Sequence, residues 1–189
     1  MYHISMYFDE KTTTQMHKLI ERVAQVTGNY YMLEAKVPPH ITLCALECEA
    51  EEVLKERLEN LVGELKQGTL QWVSVGTFLP GVIFVQPVLN EYLQRLMEQV
   101  SACVQGVPES TQGCRKDLPG IKLKPCYKPF SWLPHSTMGK KLTPEQLTDA
   151  FRVLQKEFKV FEGQVVRIGL AKMNPHLEIA SWELYEELQ

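Results

Sequence analysis

Val37-Pro38-Pro39-His40-Ile41-Thr42-Leu43-Cys44, written VPPHITLC, is an apolar strand entered through two prolines and carrying a histidine and a threonine two residues apart. Residues i and i+2 of a strand point to the same face, so His40 and Thr42 project together. Polar side chains in a buried strand are costly unless something pairs with them. The stretch Trp132 to Gly139, WLPHSTMG, repeats the arrangement with His135 and Thr137, again just after a proline. Two such pairs at the mouths of strand-like runs call for a common explanation.

Working outward, the first pair sits inside an ordered series of elements. Tyr2 to Phe8 alternates as a strand, and Thr12 to Val26 has helical spacing with Asp9 ahead of it as a cap and Gly28 as a stop. After the His40 strand, Ala50 to Lys66 forms an amphipathic helix, followed by strands around Leu70 to Phe78 and Val82 to Val88. The second half reads helix (Leu89 to Val104), His135 strand, helix capped by Thr143 with Pro144 first, and strands around Gln164 to Lys172 and His176 to Leu184. Pro80 follows His40 by 40 residues, and Pro175 follows His135 by 40. Matched order and spacing point to a duplication, with halves of roughly 1–88 and 89–189 inside one domain spanning 1–189. The expected fold is α+β and bilobal: two antiparallel sheets flank a central cleft, helices lie outside, and each lobe contributes one H-x-T pair.

The bulk properties agree with an ordinary globular domain. The chain has 189 residues, 44% apolar and 23% charged, with a formal net charge of −3. A polyanionic ligand therefore needs a local basic patch. Five cysteines, with no CxxC pair, suggest neither a zinc site nor a disulfide framework. No secretory leader and no run long enough to span a membrane are legible, so a cytoplasmic monomer is the expected state.

Two imidazoles that titrate near neutrality can serve as general base and general acid at one pH. Two threonine hydroxyls can bond the oxygens of a tetrahedral anion between them. A phosphodiester fits such a set, and the reaction needs neither cofactor nor metal; a site using His40 and His135 as metal ligands lacks further ligands at suitable spacing. The pair PPHITL and LPHSTM resembles the twin H-x-T motifs of the 2H phosphoesterase superfamily, which includes 2′-5′ RNA ligase-like proteins and cyclic phosphodiesterases. The resemblance implies catalytic roles for His40 and His135 and phosphate binding by Thr42 and Thr137. It implies substrates that are nucleotides or RNA ends with a 2′,3′-cyclic phosphate or a 2′-5′ linkage. In the RNA ligase-like branch an arginine often follows the second threonine by three residues; Lys140 stands there, keeping the charge without the fork. The alternative is a non-catalytic nucleotide or RNA-end binder of the same fold.

The remaining candidates lie on the approaches to the two motifs. The loop Gln105 to Ser131, long enough for a lid, carries Arg115, Lys116, Lys122, Lys124 and Lys128 with Tyr127 and Phe130, and Trp132 follows it. Lys128, Phe130 and Trp132, with Tyr30 and Tyr31 before the first motif, are the expected substrate contacts. Ser136 is expected to face away from its neighbours. His3 shares a face with Ser5 and Tyr7; of two readings, a place bordering the cleft or a cap on a sheet edge, the second is favoured. His17 reads as a surface residue, and His176 as a strand start without chemistry.

Overall fold

A computed structural model describes residues 1–105, 121–128, 130–173 and 175–186. The first half runs β1 (Tyr2–Phe8), α1 (Glu10–Thr27), α2 (Tyr31–Glu34), β2 (His40–Glu47), α3 (Glu51–Val62) and β3 (Gly68–Phe78). Strand β4 (Val82–Pro87) completes that half, and the second runs α4 (Glu91–Gln105), a two-residue β5 (Lys122–Leu123), a 3-10 turn over Pro125–Tyr127, β6 (Ser136–Lys140), α5 (Pro144–Glu157), β7 (Phe161–Lys172) and β8 (Leu177–Glu183). The local signals act as the sequence suggests. Asp9 accepts the Thr12 amide at 2.7 Å, Gly28 closes α1 with φ +68°, and Thr143 and Gln146 form a capping box at α5.

The strands hydrogen-bond in the order β5-β2-β1-β7-β3-β4-β6, with β8 beside β7, and every pairing between these strands is antiparallel. The two sheets expected from the sequence are thus joined into one array, because β7 is long enough to serve both. Its first residues, Phe161 to Val165, pair with β3, and its remainder pairs with β8 on that edge and β1 on the other. The junction is sealed by Trp72, which is fully buried, stacked on Phe161 at 4.9 Å and met edge-on by Phe8 at 5.0 Å.

The order also reveals an exchange. Strand β1 lies between β2 and β7, and β4 lies between β6 and β3. Each H-x-T strand therefore joins a lobe whose far strand, β7 or β3, comes from the other half of the chain. The helices cross in the same way: α1 packs on α5 and β6, while α4 packs on α3 and β2. Their apolar stripes (Met16, Leu19, Ile20 and Val23 of α1; Leu93, Leu96, Met97 and Val100 of α4) cover the outer sheet faces. Although β2 and β6 stand far apart in the hydrogen-bonding order, they approach with Cα atoms within 8 Å. The array curls until its two motif-bearing strands face each other.

Candidate functional site

His40 opens β2 and His135 immediately precedes β6. Each turns its Nδ1 back on the carbonyl two residues earlier, Pro38 for His40 and Leu133 for His135, both at 2.8 Å. A carbonyl can only accept, so Nδ1 carries the proton and the neutral ring keeps its lone pair on Nε2. The proline before each histidine lacks an amide proton and favours extended backbone in the residue ahead of it, Pro38 or Leu133, the residue whose carbonyl receives the ring.

Each strand then bulges just after its threonine. In β2, Ser5 opposes Thr42, Ile4 opposes Cys44 and His3 opposes Ala45. In β6, Phe84 opposes Thr137, Ile83 opposes Gly139 and Val82 opposes Lys140. The extra residue, Leu43 or Met138, shifts the alternation by one. Lys140, three positions past Thr137, is thereby brought to the threonine's face, where simple alternation would put it on the other side. Ser136 is fully buried on the opposite face, as its place in the strand predicts.

An aromatic ring flanks each histidine and lies over a glycine. Tyr7 sits 6.0 Å from the His40 ring, and a Cβ on Gly169 would fall 2.7 Å from it. Phe84 sits 5.0 Å from His135, and a Cβ on Gly76 would fall 2.5 Å from it. Beyond this the walls differ. His135 also meets Phe78 edge-on at 4.8 Å. On the His40 side, the Arg167 guanidinium lies 4.2 Å over the Tyr7 ring and pairs with Glu178 at 2.9 Å. Burial, then the Glu178 charge, pushes the Tyr7 hydroxyl up to about 12, against the pull of Arg167.

The electrostatics correct one expectation: neither histidine keeps its ordinary affinity for protons. Burial holds the His40 pKa below its usual value; the Pro38 bond opposes this, and the like charges of His176, His135 and Lys140 add to it. Burial also lowers His135, against the Leu133 bond, with no like-charge neighbour contributing. His40 therefore feels the charge of His135 and Lys140 across the cleft. His3 is not an edge cap, because β1 is flanked on both sides; it shares this electrostatic neighbourhood, as does His176. The sequence offered one clue to His3, its shared face with Tyr7.

The approaches to the motifs are exchanged as well. The Trp132 indole nitrogen donates to the Thr42 carbonyl at 2.9 Å, and its ring packs on the core. The Tyr127 ring lies 6.4 Å from His3, and the Lys124 amide donates to the Ala45 carbonyl. Conversely α2 packs against β6, and Lys141 lies 4.2 Å over the Tyr31 ring. Tyr30 and Lys128 are exposed, and Phe130 is wholly so, in a turn with φ +67°. Arg115, Lys116 and most of the lid proposed for Gln105 to Ser131 lie outside the described residues; Gln105 itself ends α4. Among the described residues no three histidine, cysteine or carboxylate side chains are grouped to hold a metal ion, and no helix is long and apolar enough to cross a membrane.

Comparison with known proteins adds three findings. The sequence profile described as the 2′-5′ RNA ligase superfamily matches residues 3–177. Proteins of Geobacillus kaustophilus and Geobacillus thermodenitrificans, both provisionally named phosphoesterases, are 28% and 26% identical over 158 and 159 residues, 80% of this chain and 78% of theirs. The fold is that of Escherichia coli LigT, solved with 3′-AMP, at a TM-score of 0.53, 14% identity and 97% coverage of both chains. A structure described as a phosphoesterase gives 0.54, also at 14% identity and 97% coverage of both chains.

Proposed function

This chain belongs to the 2′-5′ RNA ligase superfamily, and we propose from that premise that it is a metal-independent phosphoesterase. Its substrates are nucleotides or RNA ends carrying a 2′,3′-cyclic phosphate or a 2′-5′ linkage. The observation that carries the reading is the matched pair of Nδ1-to-carbonyl bonds on His40 and His135, on strands that lie against each other. Both bonds leave an Nε2 lone pair free, and no purely structural need calls for two such rings in equivalent places.

In the proposed reaction the phosphate sits between the two imidazoles, with the Thr42 and Thr137 hydroxyls and the Lys140 ammonium on its non-bridging oxygens. Neutral His40 takes a proton from water through Nε2 as the water oxygen attacks phosphorus. Protonated His135 gives its Nε2 proton to the departing 2′ or 3′ oxygen as that P–O bond breaks. The surroundings favour this division of roles. Burial lowers both rings, and for His40 the like charges of His176, His135 and Lys140 add to it, which suits His40 to the neutral, proton-accepting role. Phe84 and Phe78 beside His135 suit a base or sugar.

The test is turnover of 2′,3′-cyclic nucleotides and 2′-5′ dinucleotides by the wild-type protein, His40→Ala and His135→Ala, with and without a chelator. Turnover by the wild type that survives chelation, with a loss on the order of a hundred- to ten-thousand-fold in each variant, is the expected outcome. Ligand bound equally by all three proteins with no product released would overturn it.

A further inference from the structure

The two bulges that align Lys140 with Thr137 align a different residue with Thr42. At the position equivalent to Lys140 stands Ala45, too small to reach an anion, and directly opposite Ala45 is His3. The equivalent partner across from Lys140 is Val82. The basic group of the second lobe thus comes from the motif strand, and that of the first lobe from the strand beside it. We propose that His3 is a third imidazole of the anion site, paired across the cleft with Lys140, and that it binds the phosphate oxygens on the His40 side. The inference rests on the phosphoesterase reading and deepens it by assigning a binding residue.

Four further observations support the placement. Among the described residues the His3 ring has no hydrogen-bond partner, whereas His40 and His135 are both tied to carbonyls. Its ring is partly exposed and lies 6.4 Å from the Tyr127 ring. The charged and titratable groups facing it are His40 on β2, Lys140 on β6, the chain N-terminus, His176 beyond β7 and Tyr127. Apart from Tyr127, which is uncharged near neutrality, all of these are basic. Burial, followed by these like charges, pushes the His3 pKa down to about 4, so the free ring is neutral near pH 7. An arriving phosphate anion offsets the surrounding positive charge and draws a proton onto the ring. Because binding then takes up a proton, affinity weakens as pH rises.

The imidazole nitrogens of the full-length protein, followed by NMR near pH 6 during titration with inorganic phosphate, test this directly. The His3 ring signals are expected to move to the protonated range. In steady-state assays with a 2′,3′-cyclic nucleotide, His3→Gln is expected to lose about tenfold in kcat/KM, mostly through KM, consistent with one charge-assisted hydrogen bond. His3→Lys is expected to recover most of that at neutral pH and to show a shallower alkaline fall than the wild type. His3 signals that stay fixed while those of His40 and His135 move, or a His3→Gln protein with wild-type KM, would overturn the assignment to His3 alone. No movement of any histidine signal, in a protein that turns nothing over, would overturn the phosphoesterase reading together with it.

Discussion

Trp132 donates its indole N–H to the Thr42 carbonyl at 2.9 Å, so the chain entering the second motif is fastened to the backbone of the first. Ninety residues separate the pair, and the bond ties β2 to the chain that leads into β6. Replacing Trp132 with Phe keeps much of the apolar ring and removes the donor. The expected cost is about 1 kcal/mol, which lowers Tm by roughly 2–4 °C in a chain of this size. A fall in kcat/KM at temperatures well below Tm should accompany it, because the spacing between the motifs is no longer held. A Tm shift without any kinetic change would make the bond structural only.

The pH profile follows from the direction of both histidine shifts. A lowered pKa means the proton leaves at lower pH than from a free imidazole, whose value is about 6.5. Catalysis with one neutral and one protonated ring needs a pH between the two values, and both lie below the ordinary one. The profile of kcat/KM, which reports the free enzyme, is therefore expected to peak below pH 6.5 and to fall on the alkaline side as the acid loses its proton. The kcat profile, which reports the substrate complex, should extend to higher pH, since a bound phosphate favours the protonated acid. A kcat/KM optimum above pH 7 would contradict this electrostatic account.

The glycines under the aromatic rings make a local test of the two walls. Gly76→Ala brings a methyl to 2.5 Å from Phe84, and Gly169→Ala brings one to 2.7 Å from Tyr7, so each ring beside its histidine must shift. Overpacking of this kind costs about 1–3 kcal/mol. Both variants should lose activity at temperatures where they remain folded. Gly28→Ala serves as the control: its φ of +68° makes the change costly by about 1 kcal/mol, but nothing lies within 4 Å of the added Cβ. That variant should lose stability and keep its kinetics.

Much of the framework was legible because its signals are local. The Asp9 and Thr143 caps and the Gly28 stop are read from neighbouring residues, and the folded elements follow them. The exchange of β3 and β7 between lobes was hidden, because pairing partners distant in sequence leave no mark on either strand's own alternation. The bulges after Thr42 and Thr137 were hidden for a related reason: a one-residue irregularity depends on the partner strand. That is why His3 read as an edge residue, and why the face occupied by Lys140 could not be derived from its spacing to Thr137.

Lys140 closes the set of groups around the proposed phosphate position, and its residue type separates charge from geometry. The bulge at Met138 puts it on the face of Thr137, opposite Val82, and its charge is felt by both His3 and His40. Lys140→Met removes the charge while keeping a long unbranched chain. The expected loss is about 1.5–3 kcal/mol, the range for a hydrogen bond to a charged group, or roughly ten- to a hundredfold in kcat/KM. Lys140→Arg restores the charge and adds a planar fork able to hold two oxygens at once. Its kcat/KM on a 2′,3′-cyclic nucleotide should equal or exceed that of the wild type. Removing Lys140 also lifts a like charge from His40, so the acidic limb of the Lys140→Met pH profile should move upward, toward the ordinary histidine range. An unshifted limb with the expected loss of rate would mean that Lys140 holds substrate without tuning the base; an unchanged rate would remove it from the site.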